Sequence, residues 1–248
     1  MTEAAGRLDV GGGEVAWRRV PGEGPSVLWL GGFRSEMSGT KAEALARWAR
    51  RAGRDFLRFD YFGHGQSGGD FAAGTITRWR ADALAVIDQL TVGPLILVGS
   101  SMGGWLACLA AMARPARLQA LVLIAPAADF TERLIRPSLP AQGQAALAQD
   151  GVWRRPSAYD PDGYPITRVL LEDGARWSIL SGPVPIKQPV RILQGGADPD
   201  VPWRHALELA NAIEGEDVVF TLIRDGDHRL SRPQDLARLV AAVEEVSA

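Results

Sequence analysis

Short apolar runs alternate with amphipathic stretches along most of the chain, an order that is typical of parallel strands separated by helices. The apolar runs predict strands at Val27–Leu30, Phe56–Asp60, Leu95–Val98, Leu121–Ile124, Val190–Leu193 and Val218–Ile223. A helical apolar period predicts helices at Thr40–Arg51, Thr77–Leu90, Met102–Arg114, His205–Ile213 and Pro233–Val246. Glu14–Val20 follows a glycine run and predicts one arm of an antiparallel hairpin. The pattern therefore predicts an α/β fold with a mostly parallel sheet flanked by helices.

The alternation stops after the strand that ends near Ala125. The segment Phe130–Lys187 contains many of the prolines and only short apolar clusters. It is too long for an ordinary connection between a strand and a helix. We therefore expect a small helical cap at residues 130–187, inserted into a single domain that spans residues 1–248.

Composition narrows the class of protein. The chain has 248 residues, of which 46% are hydrophobic and 23% are charged, as in ordinary globular domains. Its net charge of −2 gives no basic field for a phosphate backbone, so we expect no nucleic-acid partner. The single cysteine, Cys108, cannot form an internal disulfide, and no Cys/His cluster has metal-site spacing. We therefore expect no metal.

The sequence also bears on location. Its longest apolar stretch, Trp105–Ala113, is much shorter than the ~20 residues that cross a bilayer, so no membrane span is expected. The N-terminal stretch MTEAAGRLDVGGGE resembles neither a signal peptide nor a transit segment. These features predict a cytoplasmic protein. The oligomeric state stays open, with a monomer as the simplest expectation.

The most informative motif is Gly99-Ser100-Ser101-Met102-Gly103, which lies between a predicted buried strand and a predicted helix. The pattern Gly-x-Ser-x-Gly in this setting is typical of a nucleophile elbow. Ser101 would then project its hydroxyl at the carboxyl edge of the sheet, where the Met102 N–H faces a developing oxyanion. A chance Gly/Ser turn is the alternative interpretation, and the flanking strand and helix argue against it.

A serine nucleophile needs a histidine base, and the chain has three histidines. His64 precedes Ser101, whereas the chain order for this elbow is Ser, Asp or Glu, then His. His205 falls inside a predicted helix. His228 follows the last strand in a loop before the final helix, which makes it the candidate base.

The acid that orients this base is expected in the loop after Val190–Leu193. Asp198 lies there, beside the expected position of the His228 loop. Asp200 is expected to cap the helix that starts near Pro202. Asp129, just after the preceding parallel strand, is the rival because some folds of this kind carry the acid there.

A second oxyanion donor is expected after the strand Val27–Leu30, where Gly31-Gly32-Phe33 allows close approach of the main chain. The N–H of Phe33 and that of Met102 would together donate to the oxyanion.

Another glycine motif, Gly63-His64-Gly65-Gln66-Ser67-Gly68, matches a dinucleotide-binding pattern. That pattern needs a helix opening within the glycines. Here a loop continues instead, so we expect no nucleotide cofactor.

These motifs together resemble the α/β-hydrolase superfamily. A closer resemblance, to the α/β-hydrolase domain-containing protein 10 family, rests on Gly39-Thr40-Lys41-Ala42, Arg58-Phe59-Asp60-Tyr61, Gly99-Ser-Ser-Met-Gly-Gly-Trp-Leu106, Gly151-Val-Trp153, Val201-Pro-Trp203 and Asp227-His-Arg229. Animal members of that family are mitochondrial palmitoyl-protein thioesterases that also hydrolyse acyl glucuronides. The resemblance implies an α/β-hydrolase fold and places the triad on Ser101, Asp198 and His228.

The resemblance implies a serine hydrolase that cleaves thioesters or esters of small molecules or acylated proteins without a cofactor. A carboxylesterase, a lactonase or a cofactor-free perhydrolase could use the same triad, and a non-catalytic ligand-binding protein could share the scaffold. The cap would choose the acyl group. Trp153, Trp177 and Trp203 are the predicted substrate contacts.

Overall fold

The computed structural model describes residues 2–157 and 162–247. Its strands are β1 (Ala4–Asp9), β2 (Glu14–Val20), β3 (Glu23–Leu30), β4 (Arg54–Phe59), β5 (Leu95–Ser100), β6 (Leu118–Ile124), β7 (Val152–Arg155), β8 (Tyr164–Thr167), β9 (Val190–Gly195) and β10 (Val218–Ile223). All except β7 and β8 form one eight-stranded sheet in the order β1-β2-β4-β3-β5-β6-β9-β10. β2 pairs antiparallel with β1 and with β4, and the remaining pairs are parallel. The predicted α/β fold with a mostly parallel sheet is confirmed.

Helices cover both faces of this sheet. They are α1 (Thr40–Ala52), α2 (Ile76–Leu90), α3 (Met102–Ala113), α4 (Ala141–Gln149), α5 (Arg168–Ala175), α6 (Trp203–Ala212) and α7 (Pro233–Val246). Neighbouring residues of a strand point to opposite faces. Val27 and Trp29 of β3 therefore join the apolar cluster beneath α1 and α7, whereas Leu28 and Leu30 join the cluster beneath α2, α3 and α6. Burial on both faces explains why the central strands are almost continuously apolar.

The segment between β6 and β9 contains residues 130–187, where the sequence predicts a helical cap. It holds a π-helical turn (Thr131–Ile135), α4, the antiparallel hairpin β7–β8, and α5. The prediction of a helical cap missed the hairpin because each strand has only four residues, too few to show a clear alternation. Residues 158–161 of the predicted cap lie outside the described residues.

The parallel strands end at one edge of the sheet, and the loops at this edge bring distant parts of the sequence together. Within the described ranges, no helix has both the length and the apolar character that a membrane crossing requires.

Candidate active site

Ser101 lies in a sharp bend between β5 and α3. Its backbone has φ 55° and ψ −121°, a conformation that residues other than glycine rarely adopt. The neighbouring glycines make the bend sterically feasible: a Cβ on Gly99 would lie 2.3 Å from the Gly103 carbonyl oxygen, and one on Gly103 would lie 2.1 Å from that of Leu30. The local sequence therefore dictates an elbow that exposes the serine hydroxyl at the sheet edge.

The structure brings Ser101, His228 and Asp198 into one hydrogen-bonded chain. His228 Nε2 lies 3.1 Å from Ser101 Oγ, and His228 Nδ1 lies 2.8 Å from Asp198 Oδ2. The carboxylate accepts the Nδ1 proton, which leaves the Nε2 lone pair to accept the serine hydroxyl. The Asp198 side chain is fully buried, whereas that of His228 is 18% exposed. This arrangement can remove a proton from Ser101 as its oxygen attacks a carbonyl carbon.

Asp198 is held in place by its own loop and by β9. Its Oδ1 accepts hydrogen bonds from the backbone N–H groups of Asp200, at 2.8 Å, and Val201, at 2.9 Å. Gln194 donates from its side-chain amide to Oδ2 at 3.2 Å. The carboxylate therefore has a fixed orientation toward His228. Sequence reasoning placed Gln194 in the loop after the predicted strand Val190–Leu193 and gave it no role.

Asp200 does not cap α6, contrary to the prediction. The helix starts after Pro202, which provides no side-chain cap. The Asp200 N–H instead donates to the Asp198 carboxylate. The Asp200 carboxylate oxygen Oδ1 lies 3.9 Å from Arg155 Nη2, and both residues line the cavity.

Asp129, the rival acid, is fully buried and has a different set of partners. Its carboxylate accepts the Ser178 hydroxyl at 2.6 Å and the backbone N–H groups of Ile179 and Leu180, both at 2.9 Å. These contacts fix the loop after α5 to the segment that follows β6. His205 is also engaged elsewhere, with Nε2 2.8 Å from the Ala128 carbonyl oxygen, and burial lowers its pKa.

The two predicted oxyanion donors lie on adjacent segments, Phe33 in the loop after β3 and Met102 at the start of α3. A Cβ on Gly32 would lie 3.3 Å from both the Ser100 carbonyl oxygen and Ser101 Cβ, so the loop after β3 touches the elbow. Phe33 and Met102 both line the cavity beside Ser101. Among the described residues, neither the Phe33 N–H nor the Met102 N–H donates a turn, loop or cap hydrogen bond to another backbone group. Met102 is also the first residue of α3, and the helix dipole favours negative charge at this N-terminus.

The cavity beside Ser101 has a volume of about 640 Å³. The cap segment contributes apolar and aromatic wall residues, among them Phe130, Leu134, Ile135, Tyr164 and Ile166. The loop before α1 and the first turn of α1 contribute polar ones, among them Ser35, Ser38, Thr40 and Lys41. The cavity can therefore contact an apolar group and a polar group of one ligand.

Lys41 is a cavity residue that sequence reasoning did not single out for a role. Its ammonium donates to the carbonyl oxygen of Arg229, the residue after His228. Burial, and secondarily the charge of Arg229, lowers its pKa to about 8, against the opposing effect of Asp227. Arg34, Arg155 and Arg229 also line the cavity, against the acidic Glu36 and Asp200. Basic groups therefore outnumber acidic ones around the site.

The three tryptophans predicted to contact substrate are absent from the described cavity wall. Trp177 donates to the Thr77 hydroxyl at 2.7 Å and stacks on Arg80. Trp203 stacks on Arg204. The Trp153 ring packs on Gly143, where a Cβ would lie 3.0 Å from it. The prediction is wrong for this cavity because each ring packs against its own neighbours.

The remaining candidates for unusual chemistry do not compete with the triad. Asp198, Asp200 and His228 offer ligand atoms within 4.8 Å of one another. A cation bound there would displace the hydrogen bond between His228 and Asp198, so these residues could hold a metal only at the expense of the triad. Burial, and secondarily the charge of Asp129, raises the pKa of the Cys108 thiol to about 12, which makes it a poor nucleophile.

Known proteins resemble this chain over nearly its whole length. A family model described as serine aminopeptidase, S33, matches residues 26–155. The mitochondrial palmitoyl-protein thioesterase ABHD10 of mouse is 37% identical over 233 residues, which cover 94% of this chain and 78% of that protein.

Two solved structures extend the comparison. A protein from Agrobacterium vitis S4, described as a hydrolase, is 44% identical, with a TM-score of 0.95 over 100% of this chain and 99% of the other. The α/β-hydrolase domain-containing protein 10 from mouse is 36% identical, with a TM-score of 0.90 over 98% of each chain. These matches confirm the resemblance found in the motifs. The chain therefore belongs to the α/β-hydrolases and, within them, to the family of α/β-hydrolase domain-containing protein 10.

Proposed function

We propose that this protein is a serine hydrolase that cleaves thioesters and esters through an acyl-enzyme on Ser101. The observation that carries the proposal is the hydrogen-bonded chain from Ser101 through His228 to the buried Asp198. The predicted N–H donors of Phe33 and Met102, which line the same cavity as Ser101, and membership of the family support it.

In the first half-reaction, Ser101 Oγ attacks the carbonyl carbon while its proton passes to His228 Nε2. The carbonyl oxygen becomes an oxyanion that accepts the N–H groups of Phe33 and Met102. The imidazolium, stabilised by Asp198, then protonates the leaving thiolate or alkoxide as the carbon–sulfur or carbon–oxygen bond breaks. The acyl group remains bonded to Ser101.

In the second half-reaction, water takes the place of the serine hydroxyl. His228 accepts a proton from the water as its oxygen attacks the acyl carbon. The bond between Ser101 Oγ and that carbon breaks, and the proton returns to the serine. The products are a carboxylic acid and the free thiol or alcohol, and no cofactor takes part in this cycle.

The cap segment supports an apolar acyl group. Phe130, Leu134, Ile135 and Ile166 line the cavity near Ser101, and an apolar wall favours a hydrocarbon chain over water. Curated relatives are named palmitoyl-protein thioesterases. We therefore extend the proposal to small-molecule or protein thioesters that carry a long acyl chain.

A second candidate substrate class is an acyl ester whose leaving group carries a carboxylate, as in an acyl glucuronide. The excess of basic residues in the cavity, with Lys41 joined to the residue after His228, favours it. Lys41→Met is expected to lower kcat/KM for such an ester more than for a neutral ester with the same acyl chain. Equal losses on the two esters would remove the support for this class.

The experiment that tests the proposed reaction is a panel of p-nitrophenyl esters and acyl thioesters of increasing chain length, with wild type and Ser101→Ala side by side. We expect turnover by wild type and a loss of about 10⁴-fold or more in the variant. Full activity of Ser101→Ala would contradict the mechanism. A wild-type protein that binds the substrates without turnover would indicate a binding protein.

A further inference from the structure

The glycine-rich loop after β4 contains a buried histidine that takes no part in the triad. His64 is 3% exposed, and both of its ring nitrogens have backbone partners. Nδ1 lies 3.1 Å from the Phe62 carbonyl oxygen, and Nε2 lies 3.2 Å from the backbone nitrogen of Arg34. The second contact joins this loop to the loop that carries Phe33.

These two partners fix the protonation state of the ring. A carbonyl oxygen can only accept, so Nδ1 carries the proton. A backbone N–H can only donate, so Nε2 keeps its lone pair. The pKa of His64 is lowered to about 4 by burial, with a smaller lowering from Arg34 and an opposing effect of the Phe62 carbonyl. His64 is therefore neutral at neutral pH, in the form that can accept the Arg34 N–H.

The loop holds the His64 ring rigidly. The rings of Tyr61, Phe71 and Trp79 meet it edge to face, with centroids 5.6, 4.9 and 5.3 Å away. Asp60 accepts the Gln66 N–H at 2.8 Å. Gly65 is required at this turn, because it has φ +46° and a Cβ there would lie 2.2 Å from Asp60 Oδ2. The histidine is therefore a fixed acceptor rather than a mobile side chain.

The partner of His64 is the residue that follows the proposed oxyanion donor. Arg34 has φ 59°, a left-handed conformation that residues other than glycine rarely adopt. Its N–H belongs to the peptide unit that leaves Phe33, so the hydrogen bond to His64 fixes the plane of that unit. The same loop is anchored again three residues on, where the Met37 N–H donates to Asp60 Oδ1 at 2.6 Å.

We propose that His64 is a positioning residue of the oxyanion hole: by accepting the Arg34 N–H, it holds the Phe33 N–H toward the oxyanion that forms at Ser101. The inference rests on the proposed serine mechanism. It gives a role to the glycine-rich motif, whose glycines shape a support for the neighbouring loop.

The test compares His64→Phe, which keeps an aromatic ring but has no acceptor, with His64→Gln, whose amide oxygen can accept. Removal of one oxyanion donor costs about 10²–10³ in kcat, and a misdirected donor costs less. We expect His64→Phe to lower kcat by roughly ten- to a hundredfold with little change in KM. Because phenylboronic acid forms a tetrahedral adduct on the serine, its affinity should fall by a similar factor. His64→Gln should recover most of both losses.

His205→Phe is the matched control, because His205 is also buried but its Nε2 bonds to the Ala128 carbonyl oxygen rather than to the loop of Phe33 or to the triad. It should alter thermal stability without changing the boronate affinity. A His64→Phe variant that folds and keeps wild-type kcat and boronate affinity would overturn the proposal. If Ser101→Ala is inactive while His64→Phe is unaffected, only the positioning role fails, and the serine mechanism stands.

A measurement on the wild-type protein covers the case in which His64→Phe does not fold. Long-range proton–nitrogen NMR correlations report which imidazole nitrogen carries the proton. At pH 7 we expect the Nδ1–H form for His64. Detection of the Nε2–H form would overturn the proposal, because that ring could not accept the Arg34 N–H.

Discussion

Replacement of two buried aspartates by asparagine should separate catalysis from stability. Asp198 and Asp129 both end up in loops after neighbouring strands, and both accept several hydrogen bonds. Only Asp198 contacts His228. We therefore expect Asp198→Asn to remove activity and Asp129→Asn to lower stability.

The magnitude for Asp198→Asn follows from its partners. An asparagine retains one acceptor oxygen, and the N–H groups of Asp200 and Val201 would claim it because both donate to Oδ1. The amide NH₂ would then face His228 Nδ1, which must accept, so the ring proton moves to Nε2. A ring in that form cannot accept the Ser101 proton. This tautomer error costs about 10⁴ in kcat, or roughly 5 kcal/mol of barrier.

Asp129→Asn has different consequences. The substitution places an NH₂ group against at least one of three donors, the Ser178 hydroxyl and the backbone N–H groups of Ile179 and Leu180. A buried donor that is left unsatisfied costs about 1–3 kcal/mol of stability. In a chain of this size, that corresponds to a lower Tm by roughly 2–10 °C. The value of kcat should stay within a few-fold of wild type, since the triad is untouched.

The assay measures kcat and KM on a p-nitrophenyl ester at one pH, together with thermal unfolding of all three proteins. The reasoning is refuted if Asp129→Asn loses several decades in kcat while Asp198→Asn remains active. It is also refuted if both variants lose activity equally with unchanged Tm.

Three further outcomes are expected. Ser101→Ala and His228→Ala should each lower kcat by about four to six decades, and the double variant should lose little more than either single variant, because triad members act as a unit. A loss of kcat in the double variant that equals the product of the two single losses would argue against a shared mechanism. The value of kcat/KM should rise roughly fourfold per acyl methylene up to a limiting chain length. Leu134→Trp in the cavity wall should shorten that limiting length, whereas Val169→Trp at an exposed position should not. An unchanged limiting length in Leu134→Trp would place the acyl chain elsewhere. Because the pKa of Lys41 is lowered to about 8, the Lys41 side chain is positively charged below that pH and neutral above it. Any preference for a carboxylate-bearing ester over a neutral ester should therefore weaken as the pH rises through 8. Lys41→Met should abolish this trend.

The features that sequence predicted well are those with local physical causes. Gly99 and Gly103 are required because a Cβ at either position would lie less than 2.5 Å from a backbone carbonyl oxygen of the elbow or of the chain at the end of β3, so the motif itself specifies the bend. The loops that carry Asp198 and His228 follow neighbouring parallel strands, and such strands end at one sheet edge. Their proximity therefore follows from topology alone.

The features that sequence could not predict depend on side-chain directions in the cap segment and in long-range contacts. Nothing in the sequence around Trp177 shows that its indole meets Thr77 and Arg80 on another helix, away from the cavity. The interpretation of His64 was also incomplete, because its contact with Arg34 joins two loops that are separate in sequence. Such contacts become visible only when the loops are placed side by side.

The central claim is that Ser101 is the nucleophile and that His228 activates it. The most direct measurement is intact-protein mass spectrometry after reaction with p-nitrophenyl ethyl octylphosphonate, which transfers a stable phosphonyl group to an activated serine, followed by peptide mapping. We expect a single phosphonyl group on Ser101, no modification of Ser101→Ala, and modification of His228→Ala that is slower by several decades. Modification at another residue, or equally fast labelling of Ser101→Ala, would contradict it.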